Sequence, residues 1–171
     1  MIDRRCFLRG LAAVATFSAS ACVRQSARVP GSTDWNVPIE LQREMYAHAL
    51  SLAKRNIRGG ENEPVFKRPY VDAAFNGDIF LWDTCFIACY AKFHMDELPI
   101  ANALDNFYAL QDTDGYICRQ YTRSGQPMWP KSHPVSINPP LLAFAELELY
   151  GHTQDIARLA QVYPALKRNF E

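Results

Sequence analysis

An all-α domain is what this sequence predicts, and three observations carry the prediction. Apolar residues recur three and four positions apart over successive stretches, prolines and glycines punctuate those stretches, and no convincing alternating run competes as a strand. The chain has 171 residues, 49% hydrophobic and 21% charged, which suits one soluble globular domain with a core of its own.

The elements follow in order. "IELQREMYAHALSLAKRNI", residues 39–57, sets Leu41, Met45, Ala49, Leu52 and Ala53 on one face, and "RGGENEP" ends it with two glycines and a later proline. "WDTCFIACYAKFH", residues 82–94, places Phe86, Ile87, Tyr90 and Phe93 on one side. "ELPIANALDNFYALQ", residues 97–111, does the same with Ile100, Ala103, Leu104, Phe107 and Leu110. Pro139 and Pro140 open "LLAFAELELY", since a first-turn N–H has no partner within its helix. Gly151 is expected to close that helix, Thr153 to cap the next one, "QDIARLAQVY", and Pro164 to kink or restart it.

The first 22 residues read as an export address, outside the fold. Arg4, Arg5 and Arg9 form a basic head, an apolar stretch runs from Leu11 to Ala21, and small residues precede Cys22. Arg4-Arg5 followed by Phe7-Leu8 resembles the bacterial twin-arginine signal. "ASAC" resembles a lipobox whose cysteine, Cys22, becomes lipidated, although Ala19 stands where a lipobox prefers leucine, so plain cleavage stays open. The expected location is the periplasm, or a bacterial membrane reached through a lipid anchor at Cys22. The apolar run is about half of the roughly 20 residues a bilayer core requires, which argues against a spanning helix. Residues 23–37 are polar, contain Pro and Gly and lack periodicity, the composition of a flexible tether. The globular part is expected at 38–171.

Charge narrows the partners. Lys plus Arg and Asp plus Glu are 18 each, so no basic surplus exists to neutralise a phosphate backbone, and nucleic acid is not expected. Aromatic residues reach 12%, which fits an aromatic core or flat stacking surfaces. Cys85, Cys89 and Cys118 are an odd number beyond the leader, so no disulfide framework follows. Cys85 and Cys89 stand one helical turn apart, yet no second His/Cys pair has the spacing of a metal site, and they read as core cysteines. Neither metal nor cofactor is expected.

Two features concentrate chemistry. Asp83 sits inside "FLWDTCFI", between Trp82 and Phe86, where a carboxylate needs partners to repay its lost hydration. It either caps a helix or holds a ligand. The stretch from Asp112 to Asn138 is longer than a connection requires and carries Arg119, Trp129, His133 and Asn138. A guanidinium, an indole, an imidazole and an amide suit a sugar, and a solvated surface loop is the plainer reading.

"LWDTCF", "LDNFYALQDTDGYICRQ" and "INPPLLAFAELELYGHTQDIARLAQVYPALKRNF", in that order, resemble the start of the catalytic domain of the (α/α)6-toroid, or six-hairpin, glycoside hydrolases. The closest groups are glycoside hydrolase family 63 and the mannosylglycerate-hydrolase-like enzymes, with the trehalases more distant. The resemblance spans roughly residues 69–171. It implies an incomplete toroid of helical hairpins and a carbohydrate substrate. It also implies that Trp82 and Asp83 line the sugar subsite, with Asp83 accepting hydrogen bonds from ring hydroxyls. Arg119 matches a turn position where trehalases have asparagine, and Asn138 matches the polar residue before the paired prolines; both are expected to reach the same sugar.

The resemblance also implies what is missing. Inverting hydrolysis uses two carboxyl groups, one protonating the leaving oxygen and one activating water. In these families both lie downstream of the helix that ends near "KRNFE", so no catalytic residue is assigned up to Glu171. Asp105, Asp114, Glu146 and Glu148 are expected on helix surfaces or turns. The sequence therefore reads as the amino-terminal part of an exported glycosidase, inactive alone. A noncatalytic sugar-binding or structural lipoprotein, or an epimerase or lyase on the same toroid, is the alternative.

Overall fold

The structure, a computed structural model, describes residues 37–133 and 139–170. The expected leader, with Cys22, and Asn138 lie outside the described residues. Within them stand five α-helices: α1 (Ile39–Arg55), α2 (Leu81–Ala91), α3 (Ile100–Ala109), α4 (Leu141–Thr153) and α5 (Ile156–Phe170). A single 3-10 turn, Lys92–His94, extends α2. The fold is mostly helical, as the periodicity predicts.

Four strands of two residues each were not expected. β1 (Ile57–Arg58) pairs antiparallel with β2 (Tyr70–Val71), and β3 (Ile79–Phe80) pairs antiparallel with β4 (Gln120–Tyr121). Two residues are too few for alternation to show in sequence. Their register is nevertheless defined, with Ile79 opposite Tyr121 and Phe80 opposite Gln120.

Helices α2 and α4 pack together most extensively. Lys92, just past α2, pairs with Glu148, and Phe93 stacks edge-on against His152. Further back, Cys85 lies in the field of Glu146. These partners advance together along both chains, so α2 and α4 run parallel. By the same test α3 and α5 run parallel: Arg158 reaches the Ala101 carbonyl at one end, while Gln111 meets the Ala165 carbonyl and Arg168 at the other. The result is two helical hairpins side by side, α2 with α4 in one layer and α3 with α5 in the next. Their shared core includes Leu81, Cys85, Ala88, Leu104, Phe107, Leu142, Ala145 and Leu149, all buried.

Several boundaries differ from expectation, each for a local reason. Helix α3 starts at Ile100 rather than Glu97, because Pro99 disfavours helical geometry in the residue before it. Gly151 does not close α4. The helix continues to Thr153 and ends at Gln154, left-handed at φ 57, whose N–H donates to the Tyr150 carbonyl at 2.8 Å. Thr153 is therefore the last residue of α4, and the cap of α5 is Asp155, whose Oδ1 accepts from the Arg158 N–H at 3.0 Å. A carboxylate there also complements the positive end of the helix. Pro164 lies inside α5 without ending it. The carbonyl it leaves unbonded belongs to Ala160, on the exposed side, where water can serve it.

Helix α1 departs further. Its apolar face, apart from buried Ala53, remains in solvent: Leu41, Met45 and Leu52 are all exposed. Polar ties hold the helix, the Tyr46 hydroxyl to His94 and Lys54 to Glu97.

Candidate functional site

The β3–β4 ladder sets the geometry at the start of α2. It continues one step beyond the named strands, where the Leu81 N–H donates to the Arg119 carbonyl at 2.9 Å. That bond takes up an N–H that the helix itself leaves open. It also fixes Arg119 across from Leu81, immediately before Trp82 and Asp83. Sequence segments almost forty residues apart are thus joined by backbone alone.

Trp82 is 54% exposed, with much of its indole in solvent. Asp83 is half-buried in the first turn of α2, a position where the helix N-terminus favours a negative charge. No side chain caps this helix, and Asp83 makes no hydrogen bond or ion pair among the described residues. Of the two roles open to it in sequence, the capping bond is not formed.

Arg119 is half-buried, its guanidinium carbon 4.0 Å from the ring centroid of Trp129. The Trp129 Nε1–H donates to the Gln120 Oε1 at 3.4 Å, and Gln120 Nε2 donates to Asp78 Oδ2 at 2.9 Å. The Trp129 carbonyl accepts from the Tyr116 hydroxyl at 3.3 Å. His133 lies beside the same indole, ring centroids 5.5 Å apart. The stretch after Asp112, read in sequence as a long loop, is therefore anchored: it contains β4, a bridge between Tyr121 and Pro127, and the Trp129 platform.

Of the expected sugar-binding residues, Arg119 is tied through its carbonyl to Leu81, the residue just before Trp82 and Asp83, and Asn138 lies outside the described residues. The carboxylates behave unevenly. Asp114 serves a turn, accepting from the Tyr116 N–H at 3.1 Å, and Lys131 beside it holds its carboxyl below the usual range. Glu148 meets Lys92. Glu146, expected on a helix surface, is instead 1% exposed, because α5 packs Arg158 directly over it. Cys85 and Cys118 are buried and Cys89 is half-buried, all three as free thiols. No three His, Cys, Asp or Glu side chains converge as a metal site requires, among the described residues. No described helix is long and apolar enough to cross a membrane.

A cleft elsewhere was not anticipated from sequence. It is a cleft of about 180 Å³ between Arg58, Tyr70, Asp72, Asn76, Gly77 and Arg123. Asp72, with its side chain 1% exposed, orders the rim by accepting the Ala74 N–H at 3.1 Å and the Gly77 N–H at 2.8 Å. Phe75 stands on that rim in the left-handed region at φ 60 and is 65% exposed. The "FNGD" turn was the available signal. The cleft's charges are matched internally, Arg58 with Asp72 and Arg123 with Glu63. It thus leaves few open charges for a ligand.

Comparison with protein-family models, with curated proteins and with solved structures finds no match to this chain.

Proposed function

We propose that the face formed by Trp82, Asp83, Arg119 and Trp129 binds a carbohydrate, and that the chain is the amino-terminal part of a six-hairpin glycoside hydrolase. One observation carries this reading: a carboxylate and a guanidinium stand at one end of the β3–β4 ladder, and neither has a hydrogen-bond or ion-pair partner among the described residues. Sugar hydroxyls can donate to the first and accept from the second, while the exposed indole of Trp82 offers a flat apolar face to ring C–H groups. Polar groups placed to converge on an aromatic wall are how such sites fix orientation.

The arrangement of hairpins lends support at the level of fold. Parallel α2 and α4, each followed by a returning helix, α3 or α5, fit what two successive hairpins of an (α/α)6 ring would require. Hydrolysis is not assigned to the described residues. Asp83 is read as a binding group, with the general acid and base belonging to a part of the domain outside these residues. The leader suggests export through the twin-arginine route, with lipidation at Cys22. Lysines in place of Arg4 and Arg5 should then retain precursor in the cytoplasm, and Cys22→Ala should abolish lipid labelling.

The binding reading is tested by titrating the chain with methyl glycosides of glucose and mannose while following backbone and indole N–H resonances. Saturable shifts at Trp82 and Arg119, weakened in Asp83→Asn, are the expected result. Shifts confined to other surfaces would overturn it. Glycoside turnover by the 171-residue chain at an enzymatic rate would instead make Asp83 a candidate for proton transfer.

A further inference from the structure

Among the described residues two arginines are half-buried, Arg158 and Arg119, and they are treated oppositely. Arg158 is heavily paired: Glu146 takes both its Nε and Nη2 at 2.8 Å, and Asp105 and the Ala101 carbonyl each stand 3.3 Å from Nη2. Arg119 has no acceptor among the described residues, only the Trp129 ring beneath it. No side-chain nitrogen in this part of the chain is both sealed from solvent and unpartnered, so the Arg119 donors open outward. A guanidinium stacked on an indole uses only its π face in the stack. Its in-plane N–H groups stay free, in the fork that matches a carboxylate.

The platform does not depend on Arg119 for its own position. Trp129 is held through Nε1 by Gln120, and through its carbonyl by the Tyr116 hydroxyl and the Cys118 Sγ, the latter at 3.5 Å. Gln120 is in turn tied to Asp78. The Arg119 backbone is fixed separately by the Leu81 N–H. Both ends of the side chain are thereby constrained before any ligand arrives, which reduces the entropy lost on binding.

We propose that Trp129 is a positioning residue that holds the Arg119 guanidinium as an open anion-recognition edge, so that this face prefers a carboxylate-bearing sugar to its neutral counterpart. The sugar half of this statement rests on the function proposed above; the edge itself does not. Without the indole, the guanidinium is free to rotate into water, and the directional part of the preference disappears.

The test titrates the full chain with glucuronate, glucose and acetate, following the Arg119 Nε–H resonance and the heat of binding. Glucuronate should bind about tenfold tighter than glucose, the order expected of one charge-assisted hydrogen-bonded pair. Arg119→Gln and Trp129→Leu should erase that ratio, while Trp129→Phe, which keeps a π face, should retain most of it. Leucine fills much of the indole's volume without the ring, and thermal melting of each variant separates loss of preference from loss of fold. An unchanged ratio in folded Trp129→Leu overturns the positioning role. Should Trp129→Leu not fold, an unchanged ratio in Arg119→Gln overturns the proposal in its place. Equal binding of glucose and glucuronate by the unmodified chain overturns the carboxylate preference and leaves carbohydrate binding standing. Binding of acetate and glucuronate at Arg119 with none of glucose overturns the carbohydrate reading and leaves the edge standing. Absence of any saturable shift at Arg119 overturns the proposal outright.

Discussion

Arg158 grips the Glu146 carboxylate with two nitrogens, Nε to one oxygen and Nη2 to the other, both at 2.8 Å, and the Tyr108 hydroxyl donates to the same carboxylate at 2.9 Å. Three helices meet there: α3 contributes Tyr108, α4 Glu146 and α5 Arg158. Burial comes first, and the Glu146 charge next, in pushing the Tyr108 hydroxyl far above its ordinary range. This phenol therefore keeps its proton, and its donor role, to higher pH than a free tyrosine.

Removing one partner from so buried a pair leaves an uncompensated charge, which typically costs about 3–5 kcal/mol. Arg158→Met should therefore lower unfolding free energy by about that amount in urea denaturation at neutral pH. The double variant Glu146→Leu with Arg158→Met should recover most of the loss, since an apolar pair avoids desolvation altogether. If Arg158→Met alone falls within about 1 kcal/mol of the unmodified protein, the pair is not a structural clamp.

This network also shows what the sequence could and could not reveal. Glu146 follows Ala145 in an apolar run that also carries Glu148, and an acidic residue there reads as surface because its partner sits twelve residues away on another helix. The helices themselves were legible because their apolar period is local, and the two-residue strands were not, because their register depends on pairing with a distant segment, Ile57 with Val71 and Ile79 with Tyr121. At the candidate site, Trp82 and Asp83 stand out in sequence as a charge among aromatics. The stacking of Arg119 on Trp129 does not, since β4 and the turn after it lie between them and only the fold closes that gap. The cap of α5 went to Asp155 over Thr153 through a choice between two nearby cap-forming residues that a pattern cannot resolve.

Gly115 ties the turn after α3 to the end of α5. Its φ is 90, and a Cβ built there would lie 1.8 Å from the Arg168 carbonyl oxygen. The Asn169 Nδ2 donates to the Gly115 carbonyl at 3.0 Å, so the close approach is bonded as well as packed. Gly115→Ala combines a disfavoured backbone region with a clash against backbone, and should destabilise by more than about 2 kcal/mol. Amide exchange should accelerate first in the last turns of α5. Unchanged protection there would mean that the turn is not what holds the helix end.

Helix α2 is apolar on both sides, and its outer side is a stripe of aromatics: Trp82, Phe86, Tyr90 and Phe93 are each 45–59% exposed. A helix apolar all round is normally covered. Contiguous exposed apolar surface of this kind favours association. The folded chain should bind a hydrophobic dye under native conditions and sediment as larger species when concentrated. Phe86→Glu with Phe93→Glu should reduce both effects without lowering the melting temperature. A monodisperse monomer at high concentration, unchanged by those substitutions, would show the stripe to be harmless.

Alkaline stability offers a sharper test of the core. Burial, and then the nearby Glu146 charge, pushes the Cys85 thiol from 9.0 up to about 12. Tyr70 and Tyr121 are likewise raised by burial from 10.0 to about 12. For an acid whose pKa is raised by folding, the unfolded chain loses its proton first. The stabilising contribution is therefore complete below the unfolded pKa and is lost as pH climbs toward the folded one. Cys85 alone begins this loss near pH 9, with the two tyrosines following from about pH 10. One differential proton corresponds to a slope of about 1.4 kcal/mol per pH unit. Denaturant unfolding between pH 8 and about pH 10 should thus show stability falling with pH in the unmodified chain, and falling less steeply in Cys85→Ala. The alanine variant starts from a lower value at pH 8, having lost a buried side chain, so the two curves should converge as pH rises. Parallel curves would mean that the Cys85 thiol titrates in the folded chain much as it does unfolded, and that the α2–α4 interface admits water where the packing places none.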